Sequence, residues 1–208
     1  MRVRNCIAAV ALLTVAAVLA GAAAIESAQS AVTTDPAGDV KNKAEPWQDI
    51  VSGGVARQGK TFTFTMEMSS ALPADPPAAP GGLGLYEWVW GVDTDPDLAP
   101  AGYPFPKTNA APHDFLVVFA SDGEDYFAFV IDRRPLVVGE EPIITPVPFE
   151  VDGASVNVFV DADLLDDPAA FMWRSGTINH HAHYGTAGFE PIDRAPDSEA
   201  DWLPWPQS

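Results

Sequence analysis

The chain has 208 residues, which is enough for one substantial domain or two small ones. Hydrophobic residues make up 47% of it, so a core can be buried and wholesale disorder is excluded. The 11 lysines and arginines stand against 29 aspartates and glutamates, giving a net charge of −18, and such a chain repels phosphate backbones and anionic lipid surfaces. Nucleic acid is therefore not expected as a partner, whereas divalent cations and neutral ligands are compatible with this charge.

The N-terminal residues have the pattern of an export signal. Arg2 and Arg4 precede an uncharged stretch over 6–24 that is rich in alanine, valine and leucine. A basic segment, an apolar segment and then small residues are typical of a secretory signal peptide. We predict a signal peptide over 1–30, with cleavage after Ala24 or Ser30. The alternative is a retained membrane anchor, since the apolar stretch approaches spanning length.

The mature chain is predicted to be a single domain, 31–208, without cysteine. Cys6 is the only cysteine and lies inside the signal. The exported domain then has no disulfide, no thiolate nucleophile and no cysteine-based zinc site. No second long apolar run follows. We therefore expect a secreted protein, extracellular or periplasmic, with no membrane contact after signal cleavage.

Short alternating segments predict an all-β fold. In the clearest of them, 61–68, threonines alternate with Phe62, Phe64 and Met66. Short turns, most containing glycine, join three pairs of segments into hairpins, and this pattern favours one antiparallel β-sandwich of the jelly-roll or immunoglobulin-like kind. Residues 163–170 are expected to form one or two helical turns, and 72–80 and 97–112 to be irregular loops. The predicted strands are 50–57, 61–68, 86–92, 115–120, 126–131, 149–151, 155–160 and 171–178.

Aspartates gather in turns at the ends of these strands. Calcium takes six to eight oxygen ligands, and converging loops are one way to supply them. The spacing does not match the helix-loop-helix calcium motif, so a site would be assembled from distant loops. The alternatives are ordinary turn chemistry, in which aspartates accept hydrogen bonds from local amides, and an acidic surface suited to a saline habitat. The calcium candidates are Asp35, Asp39, Asp49, Asp93, Asp95, Asp193 and Asp197.

The order of these motifs resembles a known family of exported domains. An acidic turn at Asp35 and Asp39, a strand over 60–64, the Val92–Asp95 segment and a late strand at 171–174 are similar to DOMON-like β-sandwiches, relatives of the family-nine carbohydrate-binding modules. The resemblance covers roughly 33–200. It implies a calcium-supported sandwich that binds sugars or, in some branches, haem. It also implies that Asp35, Asp39 and Asp49 are calcium ligands.

Tryptophans are the candidate ligand-binding residues. Trp88 and Trp90 are two residues apart and share one strand face, and Trp173 lies in the last predicted strand. Exposed tryptophan rings can stack on the apolar faces of sugars. The alternative is that the three rings belong to the core, because each buries a large area.

The histidines form one dense group, at 180–183. In a strand, His181 and His183 would share a face and could hold a transition metal. The alternative is an exposed polar turn. Haem is not expected, since the mature chain has no cysteine for covalent attachment.

Catalytic motifs are not found. There is no Gly-x-Ser-x-Gly elbow, and the glycine run at 81–84 lacks the lysine and hydroxyl residue of a phosphate-binding loop. The sequence thus favours a secreted, non-catalytic, calcium-stabilised sandwich that binds a glycan or cell-surface component. The alternatives are a hydrolase of extracellular polysaccharide, for which carboxylate pairs are available, and a metal- or haem-binding redox domain that uses the 180–183 histidines.

Overall fold

The computed structural model shows an all-β fold. It describes residues 29–40, 44–78, 84–95, 97–98, 113–181, 188–197 and 202–207. Within them no helix is both long and apolar enough to cross a membrane. The strands are β1 (Gln29–Thr34), β2 (Ile50–Gln58), β3 (Thr61–Met68), β4 (Gly84–Asp93), β5 (Phe115–Ser121), β6 (Tyr126–Asp132), β7 (Ile143–Pro146), β8 (Phe149–Asp152), β9 (Ser155–Asp161), β10 (Phe171–His181), β11 (Gly188–Ala195) and β12 (Leu203–Trp205).

The strands form two antiparallel sheets that pack as a sandwich. One sheet has the order β1-β2-β3-β9-β8, and the other β11-β10-β4-β5-β6-β7, with β12 also paired to β10. The predicted fold class is therefore confirmed, and all eight predicted strands are present. The predicted hairpins β2–β3, β5–β6 and β8–β9 are present as well.

The remaining segments follow the expectation in part. The helical turn predicted over 163–170 is a short 3-10 helix, Ala162–Leu165, and two others occur, Pro46–Gln48 and Arg134–Val138. Of the two predicted loops, 72–80 is irregular over its described residues, 72–78, and of 97–112 the structure describes only 97–98. Of the signal predicted over 1–30, residues 1–28 also lie outside the described residues. Because β1 begins at Gln29, cleavage after Ser30 would remove the first two residues of this strand.

The core lies between the two sheets. On β3 the apolar residues are buried and the threonines face away, because successive side chains of a strand point to opposite faces. Trp90 on β4 meets this layer, and its indole N–H donates to the Thr65 carbonyl across the sandwich at 3.3 Å. Trp88, Trp90 and Trp173 are at most 1% exposed. The three rings therefore belong to the core, which was the alternative interpretation, and none of them presents a ring face to an external ligand.

The seven-stranded sheet also has an apolar outer face. Leu116 and Val118 on β5 are buried there together with Val89 on β4, while Val117 and Phe119 of the same strand belong to the central core. A strand buried on both faces reads as a continuous apolar run. This explains why 115–120 shows no alternation in the sequence.

Candidate metal centre

Four aspartates from the two ends of the domain meet at one edge of the sandwich. Asp35 and Asp39 belong to the turn after β1, and Asp193 and Asp197 to the end of β11 and the residues after it. One carboxylate oxygen from each lies within 4.8 Å of the others. Asp193 is only 6% exposed, whereas Asp39 and Asp197 reach the surface.

The first turn is folded around a fifth carboxylate. Gly38 has a φ of +91°, a left-handed conformation that glycine adopts without strain. Its N–H donates to both carboxylate oxygens of Asp49, at 2.9 and 3.1 Å. The Asp35 N–H donates to the Val51 carbonyl at 2.9 Å, which fixes the start of the turn against β2. These bonds place the side chains of Asp35 and Asp39 on the same side of the turn as β11.

A bulge brings Asp193 into the group. In the β10–β11 pair Thr177 lies opposite Asp193 and Ile178 opposite Pro191, so Ile192 is the extra residue. Bulges of this kind change the direction of the side chains that follow. Asp193 Oδ2 accepts a 2.6 Å bond from the Ile50 N–H, and its Oδ1 accepts one of 2.8 Å from the Arg194 N–H.

A buried polar network holds the segment before Asp49 in place. The hydroxyl of Thr177 donates to the Gln48 carbonyl at 2.7 Å, and the Gln48 side-chain amide donates to Asn179 Oδ1 at 2.7 Å. All three residues are at least 91% buried. Such satisfied buried networks give a segment one defined position. The 46–49 segment is thereby anchored to β10, next to Asp193.

The carboxylates of the group repel one another. Burial, and then the charges of Asp193 and Asp197, raise the pKa of Asp35 to about 8. Burial raises the pKa of Asp193 to about 6 against the opposing effect of its two backbone hydrogen bonds. The pKa of Asp39 is also raised, by burial and by a hydrogen bond with the Asp197 carboxyl group. Like charges this close favour either a bound proton or a bound cation.

The chemistry of the group fits a hard metal ion. All four ligand atoms are carboxylate oxygens, which calcium prefers and which do not favour zinc or copper. The Oδ2 atom of Asp35 is buried and has no hydrogen-bond partner among the described residues. A buried charged oxygen without a partner is costly unless a cation satisfies it. The group can therefore hold a metal ion such as calcium.

The structure separates the seven predicted calcium candidates. It brings Asp35, Asp39, Asp193 and Asp197 together and places Asp49 beside them as the acceptor for Gly38. Asp93 and Asp95 lie elsewhere. Asp93 faces Met172 on β10 and Asp193 faces Thr177, which is five residues further along, or roughly 16 Å at the rise of a strand.

Asp93 has its own acidic neighbour. Burial, and then the charge of Asp114, raise the pKa of Asp93 to about 6. The Asp114 carboxylate is fully buried and accepts the Thr94 N–H at 2.9 Å. Asp114 follows His113 in a stretch without turn signals, so the sequence did not single it out. In the described residues this pair is not part of a group of three or more metal-ligating side chains.

The histidine prediction falls largely outside the described residues. His181 is the last residue of β10, but its side chain is not described, and His183 lies in 182–187. The proposed transition-metal site therefore stays a prediction.

Comparison with protein-family models, with curated proteins and with solved structures gives no match to this chain. The two-sheet sandwich is thus the part of the resemblance that the structure supports. Membership of the DOMON-like or family-nine carbohydrate-binding group stays a prediction.

Proposed function

We propose that this chain is an exported, non-catalytic β-sandwich module that a calcium ion stabilises and that binds a glycan or another cell-surface component. The observation that carries the calcium part is the convergence of four carboxylates from two segments that are distant in the sequence. Export, to the cell exterior or the periplasm, rests on the N-terminal basic and apolar pattern. The expectation of a neutral ligand rests on the net charge of −18, which disfavours anionic partners.

The ion would bind carboxylates from both ends of the domain and so connect them. Asp35 and Asp39 follow the first strand, whereas Asp193 and Asp197 lie in and after the penultimate one. A ligand that binds only the folded chain stabilises it by mass action. Calcium outside the cell would therefore relieve the carboxylate repulsion and hold β1 against β11 without any disulfide.

A second candidate function is hydrolysis of a polysaccharide. The observation that favours it is Asp35, whose raised pKa keeps a proton near neutral pH, as a general acid requires. The geometry favours the cation instead, because four carboxylate oxygens lie within 4.8 Å of one another, whereas a glycosidase needs only two carboxyl groups, about 5–5.5 Å apart in retaining enzymes and about 6.5–9.5 Å apart in inverting ones. Turnover on a panel of polysaccharides, lost in Asp35→Asn, would support the hydrolase.

Thermal unfolding with calcium and with a chelator tests the proposed function. At calcium about 100 times the Kd, the stabilisation is about 2.7 kcal/mol, or about 5–10 °C in Tm for a domain of this size. Asp193→Asn should lose most of this shift, because it removes one charged ligand. The amide oxygen can still accept the Ile50 N–H, so the hydrogen bond between the sheets is kept. Asp152→Asn is the matched control, since Asp152 is exposed in the β8–β9 turn.

Two results would contradict the proposal. A Tm that is the same in calcium and in chelator would remove the calcium part. Failure of the calcium-loaded protein to bind any of a panel of neutral polysaccharides and intact cell walls would remove the ligand part.

A further inference from the structure

A trough of about 260 Å³ lies on the outer face of the five-stranded sheet. β2 forms its floor, because the outward positions of this strand, Ser52, Gly54 and Ala56, carry small side chains or none. β1 and β3 flank β2 and form the walls, with Val32 opposite Gly54 on one side and Thr65 opposite it on the other. Neighbouring strands are about 4.8 Å apart, so the two walls stand about 10 Å apart.

The trough is uncharged in a strongly acidic chain. The described residues that line it include no charged side chain, although 29 of the 208 residues of the chain are acidic. Glu67 faces Ser52 at one end of the trough, and its carboxylate accepts a hydrogen bond from the Ser52 hydroxyl at 3.4 Å. An anion would find no cationic partner in this lining, and a metal ion would find no ligand set comparable to the four aspartates. The charge distribution therefore favours an uncharged ligand.

Hydroxyl groups and apolar surface alternate around the trough. Ser30, Ser52 and Thr65 contribute hydroxyls to the lining, and each hydroxyl can both donate and accept. The Thr65 hydroxyl donates to Asn157 Oδ1 at 2.8 Å, so its oxygen can still accept a hydrogen bond from a ligand. A purely apolar ligand would remove these groups from water without replacing their hydrogen bonds, which costs free energy. A sugar ring has hydroxyls at its edge for these groups and C–H faces for apolar contact with Val32.

The trough is open to solvent, and its β1 wall is held in place. Val32 is 58% exposed. Its N–H donates to Gln207 Oε1 at 3.3 Å, and its carbonyl accepts from Gln207 Nε2 at 3.4 Å. β1 ends at Thr34, directly before Asp35 of the acidic group. A site whose walls are fixed before the ligand arrives loses less conformational entropy on binding.

We propose that this trough binds a sugar unit of an uncharged polysaccharide. The hydroxyls of Ser30, Ser52 and Thr65 hydrogen-bond to the sugar, and Val32 packs against its ring. This inference rests on the proposed function, in which the ligand is a glycan or another cell-surface component, and it names the binding surface and the class of sugar. The described lining contains no tryptophan, so the binding does not depend on the ring stacking that the sequence predicted.

Affinity electrophoresis of the calcium-loaded protein tests the proposal. Calcium is included because the β1 wall ends beside the acidic group. The probes are four soluble neutral polysaccharides, hydroxyethylcellulose, laminarin, galactomannan and dextran, together with the anionic polymer polygalacturonate. At least one neutral polymer should retard the protein, and polygalacturonate should not.

Variants that fill the trough locate the binding surface. A Cβ at Gly54 would lie 3.4 Å from the Ala31 carbonyl oxygen and 3.6 Å from Val32 Cγ2, which are ordinary contact distances. Gly54→Val should therefore fold and should weaken binding of the neutral polymer at least about tenfold. Ala56→Leu fills the same trough from another floor position and keeps the test decisive if Gly54→Val does not fold. Ser155→Val is the matched control, since Ser155 lies on the same outer face but on β9, two strands from β2, and it should bind as the unsubstituted protein does.

The outcomes separate the trough from the proposed function. Binding of a neutral polymer that both filled variants retain would overturn the trough and leave the proposed function standing. No retardation of the unsubstituted protein by any neutral polymer would overturn both. Retardation by polygalacturonate as strong as that by a neutral polymer would overturn the uncharged ligand. Self-association in sedimentation experiments that Gly54→Val abolishes would assign the trough to a second copy of the chain.

Discussion

The carboxylate of Asp193 accepts a hydrogen bond of 2.6 Å from the backbone N–H of Ile50, across 143 positions of sequence. Ile50 begins β2 in the five-stranded sheet, and Asp193 lies on β11 in the other. The bond therefore joins the two sheets at the edge where Asp35 and Asp39 also approach. The same carboxylate that joins the two sheets is a member of the acidic group, so a metal ion bound by this group would be coupled to the packing of the two sheets at this point.

Asp35→Asn should change the stability in opposite directions with and without calcium. In chelator the variant removes a group that must take up a proton on folding at pH 7.5, because burial and the neighbouring carboxylates disfavour its charge. We expect a gain of about 1–3 kcal/mol, reduced from the full pKa shift because part of the group is solvated. In saturating calcium it removes a ligand, so the variant should be the less stable protein. Urea unfolding in both conditions measures this. An equal loss in both would show that Asp35 has only a packing role.

The apo protein should lose stability as the pH rises. The folded-state pKa values of Asp35 (about 8) and Asp193 (about 6) are above that of an unfolded aspartate, so the folded chain binds more protons than the unfolded chain between about pH 4 and pH 8. The free energy of unfolding in chelator should therefore fall across this window, and Asp93, with a pKa of about 6, adds to the lower half of it. Calcium should flatten the upper part of the profile. A chelator profile that rises from pH 5 to pH 8 would contradict the assigned repulsion.

The sequence predicts the strands that bury apolar residues on one face, such as β3, or on both, such as β5, and it misses β1, β7 and β12, which bury little. On β3, threonines alternate with buried apolar residues, and both its ends were predicted. β1 was missed because its sequence, QSAVTT, buries only Ala31. β7 has four residues with no buried one, and β12 is formed by three residues of a proline-rich tail. Strands that are defined mainly by their neighbours carry too little periodicity to be recognised alone.

The candidate site was predicted in its composition but not in its geometry. The sequence predicts all four aspartates of the group as calcium candidates, and the structure places Asp35, Asp39 and Asp197 outside the strands and Asp193 on β11. Asp193 joins Asp35, whereas Asp93 does not, because of the β10–β11 bulge and the strand order. Neither feature has a local signal in the sequence. The supporting residues Gln48 and Thr177 were not predicted, since their partners lie more than a hundred positions away.

A close approach of the two sheets at Gly53 should make this position intolerant of alanine. A Cβ there would lie 2.6 Å from the Ser175 hydroxyl, which is fully buried and donates to the Ala195 carbonyl at 3.1 Å. Gly53→Ala should therefore lower the free energy of unfolding by about 1–3 kcal/mol through overpacking. Ser175→Ala removes the clashing oxygen, so the double variant should be more stable than the sum of the two single changes predicts. Additive effects in urea unfolding would show that the serine rotates away at little cost.

Asp49 should control calcium affinity through the turn that it holds rather than as a ligand. Both of its oxygens accept the Gly38 N–H, and its charge raises the pKa of Asp35 and Asp39. Asp49→Asn keeps one acceptor and loses the charge, and we expect calcium to bind about three- to tenfold more weakly, with a smaller dependence on ionic strength. Asp49→Ala loses the acceptor as well and leaves the Gly38 N–H without its partner, so its affinity should fall further. Titration calorimetry of the two variants at low and high salt separates the two effects. If Asn and Ala weaken binding equally, the charge alone matters; if neither does, the position of the Asp35–Asp39 turn does not depend on Asp49.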